Sequence, residues 1–212
     1  EMLRSLVGSE MCIRDRSLRE LFLNEYKARL LRFYYHTTFF PGLIGLFVNP
    51  FYFARKGLAK HIGDLAPHIQ GRTLDVGCGS KPYVHLYHSK EYVGLEIDTP
   101  QNRENKSADY FYDGTQFPFP DQSFDSVVAN EVFEHVFNPD QFLFEVRRVL
   151  KPNGTLLMTM PFVWDEHEQP YDFARYSSFG IKALLTKQKF EILEQRKSTD
   201  CLLYTSPSPR DS

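Results

Sequence analysis

Cysteine is scarce in this chain, which has 3 cysteines among 212 residues. Cys12 and Cys201 lie close to the two ends, so Cys78 is alone in the central part of the chain. One central cysteine cannot form a disulfide framework, and such a composition is typical of a reducing compartment. The sequence therefore predicts a cytoplasmic location.

An excess of charge of one sign is also lacking, because 25 lysines and arginines stand against 27 aspartates and glutamates, for a net charge of -2. A near-neutral chain has no overall basic character of the kind that binds nucleic acid, so we expect no nucleic-acid partner.

Long apolar runs are lacking too. The stretch 39–48 is interrupted by Pro41 and is too short to span a bilayer, so it predicts a helix or lid segment, with peripheral membrane contact as the alternative.

The two ends of the chain are related at the level of DNA. Codons can be chosen for residues 201–211 whose reverse complement, read two bases in, encodes residues 6–15. The ends of a natural protein have no reason to be related in this way, and the pattern resembles a sequencing adapter translated at both ends. We therefore leave residues 1–16 and 201–212 out of the fold prediction.

The remaining chain predicts an N-terminal helical or lid segment over 17–69 and one domain over 70–200. Within the domain, strand and helix patterns alternate, which predicts βαβ units. The fold class is therefore α/β, with a Rossmann-like, doubly wound, mostly parallel sheet of six to seven strands and helices on both faces. The predicted strands are 72–77, 91–98, 108–113, 124–130, 154–162 and 189–198, and the predicted helices cover 17–35, 51–61, 177–188 and the stretch that begins at Asn138-Pro139.

Acidic and small residues follow the predicted strands at their carboxyl ends, where open α/β sheets bind ligands. The first strand leads into Asp75-Val76-Gly77-Cys78-Gly79, and the second into Glu96. Asp113-Gly114 follows the third strand and Asn130 ends the fourth. An acid after the second strand is suited to bind the two hydroxyl groups of a ribose. The carboxyl edge of the sheet is thus predicted to hold a nucleoside.

Lys81-Pro82 stands where a dinucleotide-binding turn would have its third glycine. That glycine permits the close packing of helix and strand that brings a helix N-terminus to a pyrophosphate. A lysine followed by a proline argues against such packing, so a cofactor without phosphate is favoured. Two glycines still allow the backbone to approach the ligand, and the aspartate before them favours a positively charged group.

Four motifs in the same order resemble the class I S-adenosylmethionine-dependent methyltransferases, of the small bacterial type with an E/D-x-G-x-G motif: "LDVGCGS", "YVGLEID", "DGTQFPFPDQSFDSVVANEVFEHV" and "RRVLKPNGTLLMTMPF". The resemblance covers residues 73–193. It implies S-adenosylmethionine as cofactor, and a closing β-hairpin whose last strand we expect this chain to lack. It implies that the methionyl end lies along Asp75, Gly77, Cys78 and Gly79, the ribose on Glu96, the adenine at Asp113 and Gly114, and the methionine beside Asn130.

Other interpretations of these residues stay open. Asp75 and Glu96 could each be a cap or an exposed strand end. Asp113-Gly114 could be a plain turn, and Cys78 could be a packing residue. Two other function classes also remain: an NAD(P)-dependent oxidoreductase or epimerase, which Lys81 disfavours, and a non-catalytic subunit that only binds S-adenosylmethionine.

The segment 161–180 is rich in aromatic and ionisable residues and is predicted to shape the pocket for the methyl acceptor. We expect a small-molecule, glycan or lipid-linked acceptor. The candidate base is His167, followed by His135. We expect no metal site, because adjacent side chains in "DEHE" rarely converge on one ion and no second histidine lies at helical spacing. The candidate acceptor-binding residues are Trp164, Tyr171 and Arg175, with a solvated loop and a local Asp172–Arg175 ion pair as the alternative.

Overall fold

A computed structural model shows the fold. It describes residues 27, 29, 33–35, 37–43, 45–49, 51–105, 107–162 and 165–197. The described residues form two compact units, one up to Ala59 and one within Lys60–Asp200. Trp164, both end segments and most of the helix predicted over 17–35 lie outside the described residues.

The first unit is helical, with helix α1 at Gly45–Val48 and the beginning of helix α2, Tyr52–Leu65. In the turn before α2, the side-chain oxygen of Asn49 accepts a hydrogen bond from the backbone N–H of Phe51 at 2.8 Å. The helix predicted over 51–61 is therefore confirmed. In the described part of the chain, no helix has the length and apolar character needed to cross a bilayer.

The second unit is built on a five-stranded parallel sheet with the strand order β3-β2-β1-β4-β5. The chain builds outward from β1 to β3 and then returns to place β4 on the other side of β1. The strand order thus reverses between β1 and β4, which is where such sheets bind ligands. The strands are β1 Gln70–Val76, β2 His88–Ile97, β3 Tyr110–Tyr112, β4 Phe124–Asn130 and β5 Leu150–Thr159.

Two helices, α4 at Pro139–Val149 and α5 at Ser178–Lys187, cover one face of this sheet. Leu74 and Val76 of β1 point into a core shared with both helices, while Thr73 and Asp75 point to the opposite face. Ile62, from the end of α2, is buried outside that core. The predicted α/β Rossmann-like fold with a parallel sheet is therefore confirmed. The remaining helices are α3 Pro100–Asn105 and short 3-10 helices at Ala66–His68, Val84–Leu86 and Phe133–His135.

Both helices that cover the core have a side-chain cap at the N-terminus. Asn138 accepts a hydrogen bond from Gln141 N–H at 3.2 Å, and Pro139 occupies the first helical position. Ser177 accepts one from Gly180 N–H at 3.1 Å. The predicted start of α4 is thus confirmed.

The predicted sixth strand is not confirmed. Residues 190–197 pair with no strand among the described residues. Phe190 packs on the core, which satisfies the apolar pattern without a ladder, and Leu193 is exposed. Polar side chains make other contacts here, including Arg196 with Asp64 at 2.9 Å. The alternating pattern predicted a strand because it records burial, and it does not show whether a neighbouring strand is present.

A buried ion pair fixes the segment between β3 and β4. Glu145 of α4 is 2% exposed and accepts hydrogen bonds from Phe117 N–H at 2.8 Å and from Arg148 Nη2 at 2.7 Å. Arg148 also donates to the carbonyl oxygen of Phe119 at 2.8 Å. The bonds from Arg148 outweigh burial and lower the pKa of Glu145. This pair therefore holds the loop before β4 against α4.

Replacing Glu145 by alanine is expected to lower the free energy of unfolding by about 3 kcal/mol, because it leaves the N–H of Phe117 without its acceptor and removes the buried carboxylate that pairs with Arg148. Glu91→Ala is the matched control. It breaks the ion pair of Arg72 with a half-exposed glutamate, and we expect a loss of about 1 kcal/mol or less. Urea unfolding of both variants measures the difference. Equal losses would contradict the structural role given to Glu145.

Candidate functional site

The turn after β1 is closely packed at Gly77. Gly77 and Gly79 have φ of +66° and +47°, in the left-handed region that favours glycine. A Cβ atom on Gly77 would overlap Cγ2 of Val132, which follows β4. The N–H of Gly77 donates to Leu95 O at 2.8 Å and ties the turn to β2. Cys78 is buried, and burial raises its pKa to about 12, so this thiol is a packing group.

Lys81 has a left-handed backbone conformation, which favours glycine. Its φ is +54°, and its N–H donates to Cys78 O at 2.7 Å. Its ammonium group lies 2.6 Å from Asp109 Oδ2, which also accepts from Gly94 N–H at 2.7 Å. Burial alone would raise the pKa of Asp109, but these two bonds outweigh it and lower the pKa. The lysine therefore replaces the glycine without loss of the turn.

Glu96 lies directly beside this turn. Its Oε1 accepts the N–H of Gly79 at 2.7 Å, and its Oε2 accepts from Ile97 N–H and from Asn102 Nδ2, each at 3.3 Å. Partial burial raises its pKa despite these bonds. An oriented acid is thus present at the end of β2, and its predicted role in binding a ribose stays a prediction.

Asp75 is 3% exposed and accepts a hydrogen bond from the hydroxyl of Tyr92 at 2.7 Å. Burial, with a smaller contribution from the nearby charge of Glu96, raises its pKa to about 7. Tyr92 stacks on Tyr87, whose hydroxyl accepts from Asn130 Nδ2 at 3.1 Å. Neither tyrosine was among the predicted site residues, although the alternation in β2 places Tyr92 on the same face as Glu96.

Asn130, the last residue of β4, has a side-chain hydrogen-bond acceptor that no described residue uses. Its Oδ1 is buried and has no hydrogen-bond partner among the described residues. A buried polar atom of this kind normally has a partner, so Asn130 is a site at which a bound molecule could donate a hydrogen bond.

Asp113 forms a turn with its own neighbours. Its Oδ1 accepts from the N–H and the hydroxyl of Thr115 at 2.9 and 2.6 Å and from Gln116 N–H at 3.3 Å. Gly114 has φ of +86°. This arrangement is the plain turn considered as the alternative for Asp113 and Gly114. Their contact with the adenine stays a prediction.

Glu134, His135 and His167 form a cluster beyond the carboxyl end of β4. The first two belong to the 3-10 helix Phe133–His135, and His167 comes from the segment after β5. Oε1 of Glu134 lies 3.8 Å from Nε2 of His135 and 4.0 Å from Nε2 of His167. Glu134 is 1% exposed, and burial raises its pKa to about 8. The structure thus brings together the two histidines that the sequence proposed as bases.

The other ring nitrogen of each histidine is held in place. His135 Nδ1 lies 2.9 Å from the carbonyl oxygen of Tyr171, and His167 Nδ1 lies 3.2 Å from Asp172 Oδ2. Both partners are acceptors, so we assign the proton to Nδ1 in each ring. Arg175 binds both oxygens of Asp172. The contacts described for Arg175 and Tyr171 therefore orient the histidines, and their binding of an acceptor stays a prediction.

The segment after β5 is docked on the end of β4. Phe173 and Ala174 donate their N–H groups to the carbonyl oxygen of Glu134 at 2.9 and 3.2 Å. Glu168 lies 3.9 Å from His135, and its charge adds to the effect of burial in raising the pKa of Glu96. The histidine cluster and the glycine turn thus belong to one region of the carboxyl edge.

Comparison with known proteins gives this edge a chemical context. Residues 74–158 match a family described as a methyltransferase domain. A fatty-acid O-methyltransferase of Mycolicibacterium smegmatis is 34% identical over 99 residues, which is 42% of this chain and 36% of that protein. The 27-O-demethylrifamycin SV methyltransferase of Amycolatopsis mediterranei is 24% identical over 179 residues, which is 73% of this chain and 66% of that protein.

The matched domain and both of these relatives are methyltransferases by description. The domain and the relatives imply S-adenosylmethionine as the cofactor. The crystal structure of an S-adenosylmethionine-dependent methyltransferase from Mesorhizobium loti shares the fold, with a TM-score of 0.51 at 16% identity over 71% of this chain and 89% of that one. The chain spans 36% to 69% of the length of the first curated relatives that it matches.

Gly77→Ala is expected to destabilise the protein by about 2 kcal/mol more than Gly79→Ala. Both variants incur the strain of a positive φ, but only the first adds an overlap with Val132, since no atom lies within 4 Å of a Cβ on Gly79. Urea unfolding measures both. Val132→Ala should recover part of the loss in the Gly77→Ala background and none in the Gly79→Ala background; the absence of this difference would contradict the contact.

The raised pKa of Asp75 predicts a pH dependence. The native state keeps its proton to about pH 7, whereas the unfolded chain loses it near pH 4. The unfolded state thus binds fewer protons in this interval, so this residue lowers stability as the pH rises from about 4 to 7. Asp75→Asn should remove this dependence of the free energy of unfolding on pH. At pH 8 the variant should be more stable than the unaltered protein, by about 4 kcal/mol at most. Urea unfolding from pH 4 to 8 measures it, and an unchanged slope would contradict the buried acid.

Proposed function

We propose that this protein transfers a methyl group from S-adenosylmethionine to a small-molecule, glycan or lipid-linked acceptor. The observation that carries the proposal is the form of the carboxyl edge around the glycine turn. Acids end β1 and β2 here, and the described chain after the turn enters the short 3-10 helix Val84–Leu86. A pyrophosphate is normally bound at the N-terminus of an α-helix that follows the turn. The edge is therefore suited to a nucleoside that carries no phosphate.

The groups at this edge match the chemistry of S-adenosylmethionine. Asp75 and Glu96 favour positive charge and hydroxyl donors, and Asn130 Oδ1 is a buried acceptor without a partner in the described part of the chain. We assign the methionyl end to Asp75, Gly77 and the neighbouring turn, and the ribose to Glu96. When bound, S-adenosylmethionine supplies a methyl group on a sulfonium, whose C–S bond electrons remain with the sulfur when the methyl group leaves.

The acceptor side is assigned to the histidines. With the proton on Nδ1, Nε2 of each ring has a free lone pair that can take up the proton of an acceptor hydroxyl. His167 is the stronger candidate, because the carboxylate of Asp172 fixes its ring and would stabilise the imidazolium that forms. His135, whose ring faces a neutral carbonyl oxygen, is the second candidate.

The nicotinamide alternative has one feature in its favour. Tyr52 and Lys56 have the Tyr-x-x-x-Lys spacing, with the hydroxyl 2.9 Å from the ammonium group. They lie on α2, before the first strand, and Tyr52 is buried. The contacts of Lys81 and the acids around the glycine turn do not involve Tyr52 or Lys56. S-adenosylmethionine therefore remains the proposed cofactor.

Calorimetric titration of the purified full chain should show binding of S-adenosylmethionine and none of NAD. Glu96→Gln should weaken binding by about 10- to 100-fold, because a charged acceptor is lost. Gly77→Arg should abolish binding. The matched control is Asp98→Asn, which changes an exposed acid two residues from Glu96 that pairs with Arg103, and it should bind as the unaltered protein does.

Two outcomes would replace the proposal. Binding of NAD without S-adenosylmethionine would favour the oxidoreductase. Binding of S-adenosylmethionine without transfer of its labelled methyl group to any fraction of a bacterial extract would favour a non-catalytic subunit. Transfer that Gly77→Arg abolishes would support the enzyme.

A further inference from the structure

The carboxylate of Glu134 is buried without a hydrogen-bond partner. The residue is 1% exposed, and no other described residue donates a hydrogen bond to Oε1 or Oε2. A buried carboxylate is costly unless it is paired, hydrogen-bonded or bound to a metal ion. The two imidazoles lie 3.8 and 4.0 Å from Oε1, distances that exceed a hydrogen bond, and the charge of Arg175 also acts on this carboxylate.

Both imidazoles present a lone pair to the same carboxylate oxygen. Since Nδ1 of each ring carries its proton toward an acceptor, Nε2 is the unprotonated atom in each case. In metal sites, a ligating histidine normally donates its other N–H to a carboxylate or a backbone carbonyl. His167 has the first kind of partner, Asp172, and His135 has the second, the carbonyl of Tyr171. The outer contacts of a metal site are thus already in place.

We propose that Glu134, His135 and His167 bind a divalent transition-metal ion. Two imidazoles and one carboxylate are a ligand set for Zn²⁺, Fe²⁺, Co²⁺ or Ni²⁺, whereas Mg²⁺ prefers oxygen ligands alone. The three ligand atoms lie within 4.8 Å of one another. In a tetrahedral site with bonds near 2.1 Å, ligand atoms are about 3.4 Å apart. The three ligand atoms therefore need to move by about 1 Å or less to coordinate an ion.

The sequence could not show this arrangement. The prediction of no metal site rested on the adjacent side chains of "DEHE" and on the lack of a second histidine at helical spacing. The second histidine comes from the end of β4, and the bonds from Phe173 and Ala174 to Glu134 bring the two segments together.

A role in catalysis rests on the proposed function, although the metal site itself does not. An acceptor hydroxyl that binds the open coordination positions would lose its proton more readily, because the ion stabilises the resulting alkoxide. The imidazoles would then act as ligands, and the ion would take over the activation assigned above to His167. The acceptor atom favoured by this arrangement is the oxygen of a hydroxyl group.

The test is titration of the full chain with Co²⁺ and Zn²⁺ after removal of metals with EDTA. Cys12→Ser/Cys201→Ser serves as the background, because thiols bind these ions independently. We expect one saturable site per chain. His167→Ala and Glu134→Gln should each weaken binding at least about 100-fold, and Asp172→Asn, which loses the orienting partner, by about 10- to 100-fold. His88→Ala, an exposed histidine of β2, is the control and should leave the affinity unchanged.

Two measurements distinguish a folding defect in a variant from the loss of a metal-ligating side chain. The visible spectrum of the Co²⁺ complex should show nitrogen and oxygen ligands without sulfur. S-adenosylmethionine should still bind to His167→Ala and Glu134→Gln. Absence of a saturable site, equal affinity in the ligand variants, preference for Mg²⁺, or a sulfur-containing spectrum would overturn the metal site. Retained metal binding without binding of S-adenosylmethionine would contradict the proposed function alone.

Discussion

The turn after β1 and the segment after β4 touch at Gly77, where the missing side chain leaves room for Val132. That approach allows the 3-10 helix Phe133–His135 to follow β4 beside the turn. The segment after β5 then docks on the carbonyl oxygen of Glu134. The groups assigned to the methyl donor and those assigned to the acceptor thus come from different strands but meet at one edge. A side chain at position 77 would separate them.

The region carries buried acids that a protein selected for stability alone would lack. Asp75 has only the hydroxyl of Tyr92 as a described hydrogen-bond donor, and Glu134 has none. Burial raises the pKa of both carboxyl groups. By contrast, Glu145 is equally buried but is fully paired with Arg148, and its pKa is lowered. Acids without partners are typical of binding sites, because their partner is the ligand.

The sequence predicted the parallel sheet well because buried strands and capped helices are local patterns. Asn138-Pro139 shows this directly, since one cap residue fixed where α4 begins. The sequence also located Asp75 and Glu96, because a strand end can be found from the strand itself. It could not predict that Lys81 would take a left-handed conformation, or that Asp109 would hold its side chain. These are tertiary contacts, as is the meeting of two histidines from separate segments.

The central claim is that a phosphate-free nucleoside binds between the glycine turn and Glu96. A crystal structure of the full chain with S-adenosylhomocysteine, the demethylated product, tests it most directly. The account predicts ribose hydroxyls within hydrogen-bond distance of Glu96 and the homocysteine end along Gly77 and Gly79. A ligand bound elsewhere at saturating concentration would contradict it.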